Sequence, residues 1–286
     1  MEKIKHEAIR IAKLAGNKIK DIRENGQYQE TLKGGYELVT TADLISNEVI
    51  KSEILKLFPN HTIISEEDGD NERICIQNPT WIIDPIDGTV GYANDQYQVA
   101  VSIAFAVDNE VQVGVVYNPF LDELFVGMRG SGAYLNNKPI KVKNVTKLEE
   151  CVIGTGFPHK KDNMQDIISR FGALLPYIRD VRRLGSPALD ICWVACGRMQ
   201  GFYEAKLYPW DVAAAKCIAI EAGAKTGYFH VDNNDAIPTS TSENNAVMPT
   251  STSKNNDAMP EGINGNFVII SSPQVFEEFR NILVSV

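Results

Sequence analysis

The stretch WIIDPIDGT, Trp81 to Thr89, sets two carboxylates, Asp84 and Asp87, around a proline at the end of an apolar run. Proline has no amide hydrogen to give a sheet ladder, so the run predicts a strand that stops near Asp84. Asp87-Gly88-Thr89 then has the composition of a turn. Turn chemistry alone accounts for both aspartates. Their placement adds a second reading: open α/β sheets gather ligands beyond the carboxyl ends of their strands, and Asp87 is close enough in sequence to curl back toward Asp84.

Two further stretches carry acids at the ends of apolar elements. Upstream, TIISEED puts Glu66 and Glu67 after a strand-like run; downstream, YPWDVAAAKCIAIEAG puts Asp211 at a helix start. Taken singly they read as a solvated acidic turn and a helix cap. Together they predict that Glu66, Asp84, Asp87 and Asp211 converge on one sheet edge, where like charges are costly without a cation. Oxygen donors without His or Cys suit Mg2+, with Mn2+ or Ca2+ as chemical alternatives. His6, His61, His159 and His230 show no ligand spacing, which argues against zinc. Mg2+ held by a few carboxylates keeps waters and completes its shell with substrate phosphate, and two such ions can clamp that phosphate and activate a water. Thr89 is placed to orient the water and Glu66 to take its proton.

The rest of the composition narrows the class. A chain of 286 residues with 44% hydrophobic and 23% charged residues is that of an ordinary globular enzyme. A formal charge of −9 and a pI near 5.1 argue against nucleic acid or an anionic membrane as partner, and a small phosphorylated substrate would need local positive charge. No apolar run approaches the roughly eighteen residues of a membrane span. The opening segment spaces Ile4, Ala8, Ile11, Ala12, Ala15 and Ile19 at helical intervals without a signal-peptide centre. Cys75, Cys151, Cys192, Cys196 and Cys217 are scattered and odd in number, as expected of reduced thiols in a cytoplasmic protein. There is no GxxxxGK[ST] loop and no GxSxG elbow.

Along the chain, helical patterns cover Glu2 to about Glu24 and Thr41 to about Phe58, joined by QETLKGGYELV with its mobile Gly34-Gly35. Strand-like runs follow: HTIIS, WIID, then QVAVSIAFAVD, EVQVGVVYNP and DELFVGMRG at antiparallel spacing, and GSGAYLNNKPIKV as a further hairpin. The second half alternates strands with helices. Ser186-Pro187 opens one helix as cap and first residue, and Asp211 opens another that Gly223 closes. Three units, NNDAIPTSTSE, NNAVMPTSTSK and NNDAMPEGING, repeat with Pro238, Pro249 and Pro260 in register. They predict a low-complexity surface insertion over about 232–264, of unassigned role. The whole predicts a layered α/β or α+β fold.

WIIDPIDGT, with ISEED before it and WDVAAAKCIAIEAGA after it, resembles the inositol monophosphatase family of Mg2+-dependent, lithium-sensitive phosphatases. The likeness extends through ELVTTAD, VSIAFAV, GVVYNP and RRLGSPALDICWVACGRMQGFYE. It implies an αβαβα layered sandwich of the inositol monophosphatase/fructose-1,6-bisphosphatase kind. The chain would be one catalytic unit over 1–286, with an N-terminal metal-binding half, 1–146, a C-terminal half, 147–286, and a homodimeric state. By the same resemblance Glu66, Asp84, the Ile86 carbonyl, Asp87 and Asp211 hold two or three Mg2+ ions per subunit. Glu66 and Thr89 activate the attacking water, Asp43 supports the Thr89 hydroxyl, and Glu67 and Lys33 stand just behind. Asp87, Gly88, Thr89 and Asp211 bind substrate, the amides of Gly88 and Thr89 holding its phosphate, while Gly185, Ser186 and Glu204 help to select it; Ser186 keeps its competing role as a cap.

The implied reaction is hydrolysis of a small polyol phosphate, myo-inositol monophosphate first, with fructose-1,6-bisphosphate, NADP(H) or a 3′-phosphonucleotide as alternative substrates. A non-catalytic regulatory protein on the same scaffold is the alternative from another class. Three features depart from the family pattern. Val90-Gly91-Tyr92 replaces the usual Thr-Asn-Phe, the LKGGYELV loop is about one residue short, and the repeat falls where a short connection is usual.

Overall fold

The computed structural model describes residues 1–68, 76, 78–158, 161, 164–229 and 267–286. The insertion expected over 232–264, His159, His230 and Cys75 lie outside the described residues. The chain runs α1 (Glu2–Glu24), β1 (Glu30–Lys33), β2 (Glu37–Thr40), α2 (Thr41–Leu57), β3 (Thr62–Ser65), β4 (Thr80–Asp87) and α3 (Thr89–Ala93). Then come β5 (Ala100–Val107), β6 (Glu110–Asn118), β7 (Glu123–Met128), β8 (Ala133–Leu135), β9 (Lys138–Ile140), β10 (Val152–Thr155), α4 (Met164–Leu174) and β11 (Asp180–Arg182). The last elements are α5 (Pro187–Ala195), β12 (Gly201–Glu204), α6 (Pro209–Glu221), β13 (Lys225–Tyr228), β14 (Val268–Ser271) and α7 (Phe276–Val284).

Five layers result, in the expected αβαβα order. A seven-stranded sheet, β3-β4-β5-β6-β7-β8-β9, is parallel only between β3 and β4. A five-stranded sheet has the order β11-β10-β12-β14-β13. Three apolar clusters fill the gaps between layers. Ile11, Ala15 and Ile19 of α1 and Ile50 and Ile54 of α2 pack with Trp81, Ile83, Val101 and Ile103 on the outer face of the first sheet. Ile82 points the other way, into the core that α5 and α6 make between the two sheets. That alternation is why WII is apolar without a break: both faces of β4 are covered. Phe276, Phe279 and Leu283 of α7 with Leu174 of α4 close the far side of the second sheet.

α6 lies unusually near the first sheet because two strand positions lack a side chain. A Cβ on Gly114 of β6 would sit 2.2 Å from the Ala214 carbonyl oxygen, and one on Gly127 of β7 would sit 2.7 Å from the Ile218 Cα. Glycine here serves close approach of backbone to backbone.

Three expectations change. The strand does not stop at Asp84. β4 continues to Asp87 through a bulge, since Asp84 faces Ser102 while Asp87 faces Ala100. Pro85 is tolerated because β3 ends at the Ser65–Ile83 pair, leaving β4 an edge beyond it, and Ser46 of α2 donates to the Pro85 carbonyl at 2.9 Å. QETLKGGYELV is a β-hairpin, β1 paired with β2, rather than a plain link. The later helix starts at Pro209, so Asp211 is its third residue rather than its opening one.

Gly114→Ala is expected to destabilise the protein by about 1–3 kcal/mol through overpacking, read as a lower melting temperature. Because α6 carries Asp211, the same variant should lose Mg2+ affinity, measured by titration calorimetry.

Candidate metal centre and active site

The parallel pairing of β3 with β4 ends at Ser65 and Ile83, so Glu66, just past β3, and Asp84, still within β4, come next on adjacent strands. Burial and the neighbouring Glu66 charge raise the pKa of Asp84. Asp84 Oδ1 also accepts from the Ile86 amide at 3.0 Å. The bulge then turns Asp87 toward α5, where Asp87 Oδ2 accepts from the Ser186 hydroxyl and from the Ala188 amide at 2.9 Å. Asp211 is fixed from within its own helix start: its Oδ2 accepts from the Tyr208 amide at 2.7 Å, a capping arrangement helped by Pro209 in the first helical position. One carboxylate oxygen from each of Asp84, Asp87 and Asp211 falls within 4.8 Å of the others.

Electrostatics follow from burial and crowding. Burial first, then Asp211, raises Glu66 well above the usual carboxylate range; burial, then Glu66, does so for Asp84. Asp87 is pushed up to about 7 by burial, against the lowering effect of the Ser186 and Ala188 hydrogen bonds. Asp211 is pushed up to about 8 by burial, with Asp87 and Glu37 adding repulsion. Buried carboxylate oxygens that raise one another's pKa are what a hard divalent cation relieves, so the residues present fit Mg2+.

The phosphate side is built by the turn. Gly88 has φ +97°, and a Cβ there would lie 2.9 Å from the Gln98 carbonyl oxygen and 3.1 Å from that of Gly185. Only glycine fits. Thr89 begins α3, and its hydroxyl lies 3.0 Å from Asp43 Oδ1 and 3.1 Å from the Ile86 carbonyl. Asp43 is locked in turn by the Thr40 hydroxyl at 2.6 Å and the Thr40 amide at 2.8 Å. Lys33, from the β1–β2 hairpin, donates to the Glu66 carbonyl at 2.8 Å. Glu67 stands behind Glu66, pushed up to about 7 by burial and Asp43 and held down by Lys33.

Glu66, Asp84, Ile86, Asp87, Gly88, Thr89, Gly185, Glu204 and Asp211 all line one cavity. Ser186 does not. It is fully buried, accepts from the Leu189 amide as the α5 cap and donates to Asp87. Its expected substrate contact is therefore corrected to a positioning role, since its hydroxyl is already committed. Asp43, Glu67 and Lys33 lie behind the lining. Glu204 is buried against Gly156, with its pKa pushed up to about 8 by burial and Asp211 and opposed by Arg183.

Sequence reasoning passed over Arg183, Asp190, Lys206, Tyr208 and Phe157, which line the same cavity. Arg183 and Asp190 sit within the quoted RRLGSPALD, and Tyr208 lies within one helical turn of Asp211, so proximity to named residues was the available signal.

A sequence model of the inositol monophosphatase family matches residues 1–259. The chain belongs to that family. Inositol monophosphatase 1 of Solanum lycopersicum is 42% identical over 198 residues, 67% of this chain and 72% of that protein. Nus factor SuhB of Pasteurella multocida is 41% identical over 220 residues, 76% of this chain and 81% of that protein. Among solved structures, inositol monophosphatase from Anabaena (Nostoc) sp. PCC 7120 has a TM-score of 0.76 at 29% identity, covering 100% of this chain and 96% of that one. Extragenic suppressor protein suhB from Bartonella henselae has a TM-score of 0.81 at 28% identity, covering 98% of both chains. Membership in the inositol monophosphatase family supports a phosphatase. Among the described residues no helix is long and apolar enough to cross a membrane.

The raised pKa values set a stability profile. Unfolded aspartate titrates near 4, whereas Asp87 and Asp211 in the fold titrate at about 7 and about 8. Between those limits the folded state binds more protons, so stability falls as pH rises. The metal-free protein should melt lower at about pH 8 than at about pH 5, with Mg2+ recovering the loss at the higher pH. Asp84→Asn, which removes one repelling charge, should raise the metal-free melting temperature and abolish the Mg2+-dependent rise, both read by scanning fluorimetry.

Proposed function

We propose that the chain is a Mg2+-dependent phosphomonoesterase of small polyol phosphates, with myo-inositol monophosphate as first substrate. The observation that carries this reading is one cavity lined by Glu66, Asp84, Asp87 and Asp211 together with the Gly88–Thr89 turn and Glu204, with Asp84, Asp87 and Asp211 grouped closely enough to share a metal ion. Glu66, Asp84, Asp87, Asp211 and the Ile86 carbonyl would hold two or three ions. Bound Mg2+ supplies Lewis acidity to the phosphate and lowers the pKa of a water.

The protein's own groups do the rest. The Thr89 proton is drawn to Asp43 or the Ile86 carbonyl, so the Thr89 oxygen is left to accept from a water in the cavity and to orient it. Glu66, already raised in pKa, is suited to take a proton from that water. The Gly88 and Thr89 amides, at the start of α3, would hold the phosphate, and Asp87 and Asp211 would meet the substrate beside the metal they hold. Glu204, buried and raised, suits the hydroxyls of a polyol, with Gly185 beside it in the lining.

The same proposal takes 1–146 and 147–286 as halves of one catalytic unit that forms a homodimer in the cytoplasm, is inhibited by lithium, and binds neither nucleic acid nor membrane. The name Nus factor on the SuhB relatives favours one second reading, a regulatory role on this scaffold. The intact carboxylate set favours catalysis.

The test is phosphate release from myo-inositol 1-phosphate, fructose-1,6-bisphosphate and NADP+, each with Mg2+ and with EDTA. Activity should need Mg2+ and be greatest on the inositol ester. Thr89→Ala should lower kcat about 100-fold or more, with Thr89→Ser restoring most of it. Turnover that survives EDTA, or an Asp84→Asn variant as active as the parent, overturns the mechanism.

A further inference from the structure

The run CVIGTGF carries glycine at alternate positions, Gly154 in β10 and Gly156 just past its end. Residues two apart on an extended chain face the same way, so both glycines bare the side of the second sheet on which α5 lies. A Cβ on Gly154 would lie 2.9 Å from the Met199 Cε and 3.2 Å from Asp190 Oδ1. A Cβ on Gly156 would meet one group first. It would lie 2.2 Å from Glu204 Oε2 and 2.3 Å from both Oε1 and Cδ of the same side chain. The Glu204 carboxylate therefore sits face-on in the space a side chain at 156 would take.

Strand register brings this about. Gly154 pairs in parallel with Phe202 and Thr155 with Tyr203, so Gly156 and Glu204 come next on adjacent strands, and the longer side chain leans over the neighbour that has none. Both residues line the cavity, and Glu204 is 6% exposed. Arg183 and Lys161 act on Glu204 through charge, and no donor among the described residues fixes its oxygens by a hydrogen bond. Shape fixes them instead. Here Gly156 differs from Gly114 and Gly127, which face the backbone of α6. A helix backbone cannot step aside, whereas the end of a glutamate side chain can. A methyl at 156 would leave the fold its stability and cost Glu204 its place.

We propose that Gly156 is a specificity-determining position, which holds the Glu204 carboxylate against the cavity to accept the hydroxyls of a polyol phosphate. The proposal rests on the polyol reading above and adds the residue that sets it. Gly156 acts through Glu204, as a positioning residue. A site built to bond hydroxyls discriminates against an ester without them, and a displacement of about 1 Å is enough to weaken such a bond. The metal end is held by β3, β4 and α6, so the effect falls on the leaving-group side of the substrate.

The experiment compares kcat/KM for myo-inositol 1-phosphate with that for phenyl phosphate, whose leaving group bears no further hydroxyl, in the full chain with Mg2+. The variants are Gly156→Ala, Glu204→Ala and the two combined. The inositol-to-phenyl ratio should fall about tenfold in Gly156→Ala, the scale of one buried hydrogen bond left unmade, while the melting temperature stays near that of the parent. With Glu204 already truncated the methyl has room, and Gly156→Ala should then change the ratio by less than about twofold. A ratio unmoved by Gly156→Ala, an equal fall in both backgrounds, or a Gly156→Ala protein that does not fold overturns the proposal and leaves the phosphatase reading standing. Release by the parent from phenyl phosphate alone overturns the polyol reading. Release from neither ester overturns the phosphatase reading and this proposal with it.

Discussion

Repulsion among Glu66, Asp84, Asp87 and Asp211 is the constraint around which the molecule is arranged. Carboxylates this crowded, two of them buried and two half-buried, do not gather of their own accord; each comes from an element held by a different set of contacts. Glu66 and Asp84 are brought together by a parallel strand pair, Asp87 by a bulge clasped from α5, and Asp211 by a helix that two glycines let down onto the sheet. The stability lost at the acids is offset by the three apolar layers around them. This is the division expected of a functional site, where local preference is violated and the rest of the structure compensates.

Much of this was legible beforehand, and for definite reasons. α1 shows its buried face at helical spacing, and the found helix, Glu2–Glu24, has the expected ends. The acids were legible as a group because three separate apolar runs end in them. The layered architecture followed from the resemblance and from alternating elements. What could not be read was the path of the chain through Pro85. A proline argues against a central strand, and nothing local tells that β3 has already ended, so that the strand is an edge when it reaches the ring. The β1–β2 hairpin escaped notice because β1 is exposed along nearly its whole length and burial in β2 rises along the strand instead of alternating, which removes the alternation that marks a half-buried strand. Arg183, Asp190 and Tyr208 were missed although each lies near a named residue in sequence, because no motif marks which neighbours of a site residue face the cavity.

The Ser186 hydroxyl illustrates how burial decides between roles. In sequence it is equally a helix cap and a polar group near a substrate. Complete burial, with one bond accepted from Leu189 and one donated to Asp87, makes it a rivet between α5 and β4. Its influence on any ligand passes through Asp87.

That rivet, and the Ala188 amide beside it, join residues about a hundred positions apart in the chain, |i−j| being 99 and 101. The centre cannot exist in part. During synthesis the strands carrying Glu66, Asp84 and Asp87 leave the ribosome long before α5 and α6 do, and until Asp211 emerges the early acids face water with no clasp and no fourth partner. Cation capture is thereby tied to the late, long-range stage of folding, and a truncated or stalled chain has no assembled pocket in which to sequester the ion.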